Sequence, residues 1–321
     1  MIEHFVTIFD GRFLPQGLAL RRSLTRSVGS SKLWVVCVDD LAHDALSRLD
    51  LPNVTTLKLA NIETPELRAI RPSRTFVEYC WTLTPWAPRF VFEADSSVER
   101  VTYIDADLWF RRRPDAIFRE LEQSGKAVLI TDHAFAPEHD HSDISGQYCV
   151  QFMSFVRGAC EPVRSWWEAR CLEWCHARAE GGLFGDQKYL DDWPDRFPSL
   201  VHVLEDQELT LAPWNLTRFP FGRSVFHHFH GLRLVSRTAV NLGNYAIPRP
   251  AMRGLYRPYL ADLNDAITEL ERVGIPFQAQ ASAPRIWSRP TSALRLLRRA
   301  IRSALRQSDS GKVVPLRSGT D

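Results

Sequence analysis

Two aspartates follow an apolar run in the segment VTYIDADLWF, residues 101–110. An unpaired carboxylate is costly to bury, so such a group is normally paired, bound to a metal or neutralised. Asp105 and Asp107 are two residues apart, and residues with this spacing lie on the same side of an extended chain. Hard divalent cations such as Mg²⁺ and Mn²⁺ prefer oxygen ligands and often share them with substrate phosphates. The pair therefore predicts a metal–diphosphate site at the end of a strand.

Three histidines in the segment HHFHG, residues 227–231, offer nitrogen ligands. Alternation along a strand places His228 and His230 on one face and His227 on the other. Neutral imidazole suits Mn²⁺ better than Mg²⁺, so we expect at least one histidine to bind metal. The alternative is a hydrogen-bonded histidine cluster without a metal. Arg233 follows and could neutralise a departing phosphate.

The segment FGDQ, residues 184–187, offers polar groups to a hydroxyl-rich ligand. Gly185 predicts a tight turn, after which Asp186 provides an acceptor and Gln187 an amide. The alternative is an ordinary helix start, in which Asp186 caps the following helix.

The elements that must position these residues alternate between strand and helix in the first half of the chain. This pattern predicts an α/β fold with a mixed, mainly parallel sheet flanked by helices in a single main domain. Ligands of such sheets gather outside the carboxyl ends of the strands. The acids at or just beyond predicted strand ends are Asp10, Asp39, Asp40, Asp105, Asp107 and Asp132. Turn or capping roles would equally explain most of them.

Three later segments complete the predicted elements. A helix is expected over residues 162–179, a strand over 147–156, and a strand broken at Gly231 over 226–235. The six cysteines include no CxxC pair, so we expect reduced thiols rather than a zinc site.

The composition is that of a soluble globular protein, with 45% hydrophobic and 24% charged residues. No apolar run reaches the roughly 18 residues that span a bilayer, and the N-terminus lacks a signal-peptide pattern, so we expect a cytoplasmic protein. The body is mildly acidic and shows no basic stripe in the sequence, which argues against a nucleic-acid partner.

The C-terminal part is basic instead. Residues 1–277 form the predicted domain, and residues 278–321 a linker and a basic amphipathic tail. Between Arg285 and Arg306 the chain has seven arginines and no acid. Residues 291–306 predict a helix that contacts an anionic membrane peripherally, such as the inner face of the plasma membrane. The alternative is a helix that packs on the body or stays mobile.

Taken in order, these segments resemble the glycosyltransferases of the GT-A fold, especially the bacterial family-8-like enzymes. The opening TIFDGRFLPQGLALRRSL is similar to the family's first strand, loop and helix. The further matches are Tyr103-Ile104-Asp105-Ala106-Asp107, Gln147 to Phe155, Gly185-Asp186-Gln187 and His228-Phe229-His230-Gly231. The resemblance covers about residues 3 to 275.

The resemblance implies transfer of a sugar from a nucleotide-diphosphate donor, a UDP-sugar, to a glycan or glycolipid acceptor of the cell envelope, with retention favoured. It implies that Asp105, Asp107 and His228 bind Mn²⁺ or Mg²⁺, and that Arg233 helps to stabilise the diphosphate. The remaining implied site residues are Asp186 and Gln187 at the sugar, Thr7, Phe9 and Asp10 at the nucleoside, and Asp105 with Ala106 at the donor.

The sequence departs from the family at three places. Cys149 stands where the family has an Asn, with Gln151 in a position to compensate, and Arg233 replaces a Lys one residue further on. Segment 78–86 lacks an arginine that relatives often have. The competing readings are a metal-dependent phosphohydrolase or nucleotidyltransferase, which usually needs a glycine-rich phosphate loop, and a non-catalytic carbohydrate-binding protein.

Overall fold

A computed structural model describes residues 2–280 and 313–316. These residues form thirteen strands in three sheets, of which a seven-stranded sheet is the centre of the fold. The strands are β1 (Glu3–Phe9), β2 (Ser31–Cys37), β3 (Val54–Lys58), β4 (Arg100–Ile104), β5 (Leu108–Phe110), β6 (Val128–Asp132), β7 (Tyr148–Val156), β8 (Val201–Val203), β9 (Thr210–Leu211), β10 (Phe226–His228), β11 (Arg233–Ser236), β12 (Ala239–Asn241) and β13 (Val313–Pro315).

The helices lie mainly between the strands of the first half of the chain. They are α1 (Leu14–Ser27), α2 (Asp40–Leu49), α3 (Leu59–Ile62), α4 (Pro65–Ile70), α5 (Phe76–Leu83), α6 (Ala87–Ala94), α7 (Asp115–Ser124), α8 (Ser142–Ser145), α9 (Glu161–Glu173), α10 (Trp193–Arg196), α11 (Arg249–Ala251) and α12 (Arg257–Arg272). A π-helical turn, Met252–Tyr256, joins α11 to α12.

The central sheet has the order β3-β2-β1-β4-β7-β6-β8. Its strands pair in parallel except β7, which runs antiparallel to both β4 and β6. Separate apolar clusters cover its two faces, which is why β2 is an almost continuous apolar run. The prediction of a mixed, mainly parallel sheet flanked by helices is confirmed.

Segments 101–110 and 226–235 contribute strands to two smaller sheets, of order β5-β10-β9 and β11-β12-β13. Segment 101–110 divides after Ile104, because Leu108 N donates to Asp105 O at 3.2 Å and closes a turn. The chain then continues as β5 in a sheet of order β5-β10-β9. Segment 226–235 divides in the same way at Gly231, whose φ of +80° suits glycine. Residues 101–110 suggest one strand, which is wrong, whereas the break predicted at Gly231 in segment 226–235 is confirmed. Both breaks fall beside the polar residues.

Helix α9 is also shorter than the predicted 162–179. It ends at Glu173 because Trp174 is extended, with φ −152° and ψ 123°. The chain then turns through Gly181 and Gly182, both at positive φ, before it reaches Asp186. The loop between α9 and Asp186 is therefore irregular and depends on tertiary contacts for its position.

Two pieces of the predicted linker and tail pack on the body. The side-chain oxygen of Gln280 accepts hydrogen bonds from Gln16 Nε2 and Leu234 N, each at 3.0 Å. Strand β13 pairs antiparallel with β12, and Leu316 after it is buried in an apolar cluster. The predicted helix 291–306 lies outside the described residues, and the boundary at residue 277 stays a prediction. Within residues 2–280 and 313–316, no helix is long and apolar enough to cross a membrane.

Candidate metal and donor site

Asp105, Asp107 and His228 converge beyond the end of β4. One possible ligand atom from each lies within 4.8 Å of the other two. His228 Nε2 is 3.0 Å from Asp107 Oδ1 and 3.7 Å from Asp105 Oδ2. The convergence follows from the pairing of β10 with β5, which sets His228 opposite Leu108, and from a hydrogen bond that Phe229 N donates to Asp107 O at 3.0 Å. The convergence predicted for these three residues is confirmed.

The residues behind this cluster orient its ligand atoms. His228 Nδ1 donates to Gln151 Oε1 at 2.9 Å, which leaves Nε2 to face the two carboxylates. Tyr103 donates its phenolic proton to Asp105 Oδ1 at 3.0 Å. Metal-binding histidines usually donate their second ring nitrogen to such a partner. Two carboxylates and an oriented imidazole fit the ligand preferences of Mn²⁺.

The charges of His228 and of the two aspartates stabilise one another. Burial raises the pKa of Asp105 to about 6, although the charge of His228 opposes this shift. Burial would also raise the pKa of Asp107, but the charge of His228 and its hydrogen bond hold that pKa below the ordinary range. Burial would lower the pKa of His228, but Asp107 raises it. The site therefore favours a positive charge between its two carboxylates.

Asp186 is buried close to this cluster and has unused hydrogen-bonding capacity. Its Oδ2 has no partner among the described residues. Burial raises the pKa of Asp186 to about 7, a hydrogen bond from Thr84 opposes the shift, and the charge of Asp105 adds to it. The side chain does not cap the following 3₁₀ turn, so the helix-cap alternative is wrong. Gly185 has φ +54°, as expected for the predicted tight turn.

Gln187 and Arg233 have different surroundings. Gln187 Nε2 donates to Ser145 O at 2.8 Å, so its amide fastens α8 to the segment that carries Asp186. Arg233 forms no ion pair within the described part of the chain. Its charge nevertheless contributes to lowering the pKa of Asp107, so the guanidinium lies on the side of the metal ligands.

The predicted nucleoside residues lie at the carboxyl end of β1. Thr7 is fully buried, and its hydroxyl has no partner among the described residues. The Phe9 ring packs against Gly17 so closely that a Cβ there would lie 2.5 Å from it. Asp10 Oδ1 accepts from Arg12 N and Phe13 N, at 3.1 and 3.2 Å, as a turn cap. Ala106 is buried between the metal ligands in sequence. The nucleoside role of this group stays a prediction.

An aromatic wall adjoins the cluster; we define it as Trp214, His230 and Tyr245. The Trp214 ring centroid lies 5.4 Å from the rings of both His228 and His230, and Tyr245 lies 6.5 Å from His230. Trp214 is fixed by donating to His133 O at 2.8 Å. Aromatic rings beside a polar centre are a common arrangement for binding the apolar face of a ligand. The members come from three separate segments, so only folding brings them together.

Two proteins of Bacillus subtilis (strain 168), both described as uncharacterized, are similar to this chain along most of its length. YfnD is 30% identical over 286 residues, which covers 84% of this chain and 91% of YfnD. YfnF is 31% identical over 255 residues, which covers 74% of this chain and 84% of YfnF. No protein-family model matches the chain.

Several solved glycosyltransferase structures share the fold at low sequence identity. The apo form of GlyE from Streptococcus pneumoniae TIGR4 has a TM-score of 0.53 at 15% identity, covering 85% of this chain and 63% of the GlyE chain. Mouse xyloside xylosyltransferase 1 has a TM-score of 0.50 at 16% identity, covering 72% and 98%. The galactosyltransferase LgtC, in complex with donor and acceptor sugar analogues, has a TM-score of 0.50 at 10% identity, covering 82% and 95%. The fold is therefore the GT-A fold of glycosyltransferases.

Proposed function

The chain belongs to the family of the Bacillus subtilis proteins YfnD and YfnF, and we propose that it is a metal-dependent glycosyltransferase, similar to family 8, which moves a sugar from a nucleotide-diphosphate donor to an acceptor. The observation that carries the proposal is the convergence of Asp105, Asp107 and His228 at a strand end of a GT-A fold. Two carboxylates and an oriented imidazole at that place suit a divalent cation that shares its coordination with a diphosphate.

In this proposal Asp105, Asp107 and His228 hold Mn²⁺ or Mg²⁺. A bound divalent cation would stabilise the charge of the departing nucleotide diphosphate. Arg233 would add a second positive charge at the same diphosphate, which is supported by its lack of an ion pair in the described residues and by its effect on Asp107. Gln151 and Tyr103 keep the ligand atoms in position through their hydrogen bonds.

Asp186 would accept a hydrogen bond from a hydroxyl of the donor sugar. Its buried Oδ2 without a protein partner supports this role, because a buried acceptor left unpaired costs free energy that a substrate hydroxyl would recover. Gln187 would keep its side-chain oxygen available on the same side, since its nitrogen is already used by Ser145.

The resemblance to family-8-like glycosyltransferases also suggests the donor and the acceptor. We propose a UDP-sugar donor with its nucleoside at Thr7, Phe9 and Asp10, and its diphosphate near Asp105 and Ala106. A glycan or glycolipid of the cell envelope would be the acceptor, with retention of configuration. The partly exposed rings of His230 and Tyr245, with the buried Trp214 packed against His230, are suited to contact one sugar ring beside the metal.

Thermal unfolding with a panel of nucleotide sugars, with and without Mn²⁺, tests the proposal. We expect one nucleotide sugar to stabilise the protein only when Mn²⁺ is present. Asp107→Asn should weaken Mn²⁺ binding by more than the roughly 10- to 100-fold loss that changes behind a metal site produce. Asp40→Asn is the matched control, because Asp40 also follows a strand but is exposed and paired with Lys58 at 2.8 Å. Cleavage of phosphomonoesters without nucleotide-sugar binding would instead establish the phosphohydrolase alternative.

A further inference from the structure

A second cleft lies at the far end of β5 from the metal ligands. It is a shallow cleft, largely open to solvent, with a volume of about 580 Å³. Its lining residues are Arg26, Ser27, Trp109, Phe110, Arg111, Arg112, Arg113 and Gly254. A strand advances about 3.3 Å per residue, so Arg111 stands about 13 Å along the chain from Asp107. The cleft is thus separate from the donor site, although one short strand connects the two.

The positive charge of this cleft is only partly neutralised. Arg26 pairs with Asp262 at 2.8 Å, and Arg113 pairs with Asp115 at 2.9 Å. Among the described residues, neither Arg111 nor Arg112 has a carboxylate within 4 Å. Both donate instead to backbone carbonyls, of Phe221 and Gly222 respectively.

Burial lowers the pKa of Arg111, and the neighbouring charge of Arg112 lowers it further. Two adjacent guanidinium groups that repel one another and lack an anion leave the cleft ready to accept a negatively charged group. The carbonyl contacts hold these groups in place without neutralising them.

The backbone at Gly254, beside the cleft, packs closely against the ring of Phe221. Gly254 lies in the π-helical turn, and a Cβ there would come within 2.9 Å of the Phe221 ring. Phe221 is the residue whose carbonyl holds Arg111, so this contact joins the two sides of the cleft. Single π-helical turns inside α-helices occur frequently at functional sites.

A stripe of three arginines precedes and follows Gly254, the cleft residue that lies in the π-helical turn. Arg249, Arg253 and Arg257 are spaced four residues apart, and all three are exposed. None of them forms an ion pair with another described residue. This stripe presents more charges than a single phosphate needs, so it fits a surface that carries many anionic groups.

We propose that the arginine cleft and the stripe Arg249–Arg253–Arg257 bind the phosphate groups of an anionic lipid surface. A membrane presents many phosphates in one plane, which matches a charged cleft and an exposed stripe. Nucleic acid fits less well, because the cleft offers no open aromatic face for a base: Trp109 is 8% exposed, and its ring is already covered by Arg26 at 5.4 Å. This surface belongs to the described body and is additional to any contact made by residues 291–306.

Cosedimentation of the full chain with vesicles of phosphatidylcholine, with and without phosphatidylglycerol, tests the proposal. We expect binding only to the vesicles that contain phosphatidylglycerol, and less binding at high salt. The double change Arg112→Gln with Arg253→Gln should reduce the partition coefficient about tenfold or more, since each basic residue near an anionic surface contributes substantially. Both side chains are exposed, so thermal unfolding should not change.

The matched control is Arg48→Gln with Arg68→Gln, which removes the same charge from exposed arginines that do not line the cleft. This control should bind vesicles as the wild type does. Equal vesicle binding by both double variants would overturn the proposal and assign binding to another segment. Absence of wild-type binding to phosphatidylglycerol would also overturn it, as would loss of duplex DNA binding in the cleft variant with vesicle binding unchanged.

Discussion

At the scale of single residues, Gln151 decides which nitrogen of His228 is available to a metal. Its Oε1 accepts the Nδ1 proton at 2.9 Å, so Nε2 points to Asp105 and Asp107. The backbone oxygen of Gln151 also accepts from Asp105 N at 3.1 Å, which connects β7 to the turn that carries the aspartates. One residue therefore orients ligands from two separate segments.

Removing that acceptor should weaken metal binding without removing a ligand. We expect Gln151→Leu to lower the affinity for Mn²⁺ by roughly 10- to 100-fold, because the imidazole would no longer be held in one tautomer and orientation. Isothermal titration with Mn²⁺ measures the change. Gln151→Glu, which keeps an acceptor oxygen, should retain binding, and wild-type affinity in the leucine variant would show that Gln151 does not orient the ligand.

At the scale of elements, Glu78 joins helix α5 to the irregular loop that leads to Asp186. Its Oε2 accepts from Thr75 N at 2.8 Å at the start of the helix, and its Oε1 accepts from Ala177 N at 2.8 Å in the loop. Burial alone would raise the pKa of Glu78, but these hydrogen bonds outweigh burial and lower the pKa to about 2. The short helix and the loop therefore depend on one ionised side chain.

Replacing this carboxylate should destabilise the protein in a pH-dependent way. Glu78→Gln loses one acceptor oxygen and leaves a buried donor unpaired, so we expect a loss of about 1–3 kcal/mol in the free energy of unfolding at neutral pH. The folded-state pKa is below the ordinary value of 4.5. The stabilisation by Glu78 is therefore complete above about pH 4.5 and is lost as the pH falls towards 2. Urea unfolding of both proteins at several pH values measures this dependence.

The matched control for this experiment is Glu93→Gln on the neighbouring helix α6. Glu93 is 59% exposed and pairs with Arg89 at 2.7 Å. An exposed pair of this kind contributes roughly 0.5 kcal/mol or less. Equal losses in the two variants, or a Glu78→Gln loss that does not shrink in acid, would contradict the role given to Glu78.

At the scale of the whole molecule, the C-terminal strand β13 completes the sheet that follows the histidine segment. It pairs with β12, and Leu316 N donates to Thr238 O at 2.8 Å. The buried Leu316 joins the apolar cluster that includes Leu234 and Val240. The described end of the tail is therefore part of the same packed body as Arg233 on β11.

Shortening the buried side chain of Leu316 tests whether strand β13 stabilises the apolar core. Leu316→Ala should cost about 2–3 kcal/mol of unfolding free energy, at the low end for a buried leucine because the site lies near the surface. Val313→Ala on the same strand is the control, since Val313 is 57% exposed and should change stability little. Denaturant unfolding compares them, and equal stability of the two variants would mean that β13 does not contribute to the core.

The sequence alone determined the fold class and the place of the metal ligands. Apolar runs that end in aspartates mark strand ends, and this information is local, so β1, β2 and a metal site at the strand end near Asp105 could be predicted, although the turn that divides segment 101–110 could not. The inclusion of His228 depended on the ordered resemblance of several motifs. Its contact with Asp107 spans many residues, and only the pairing of β10 with β5 creates it.

Tertiary structure alone decided which polar groups are already used and which remain available. Asp10 proved to be a turn cap, whereas Asp186 keeps an unpartnered oxygen, although both acids follow a strand or a turn in the sequence. Arg111, Arg112 and Arg113 are contiguous in the sequence, but only folding brings Arg26 and Gly254 beside them in one cleft. A linear pattern records periodicity along one element, but the pairing of a charge depends on the neighbours that other segments supply.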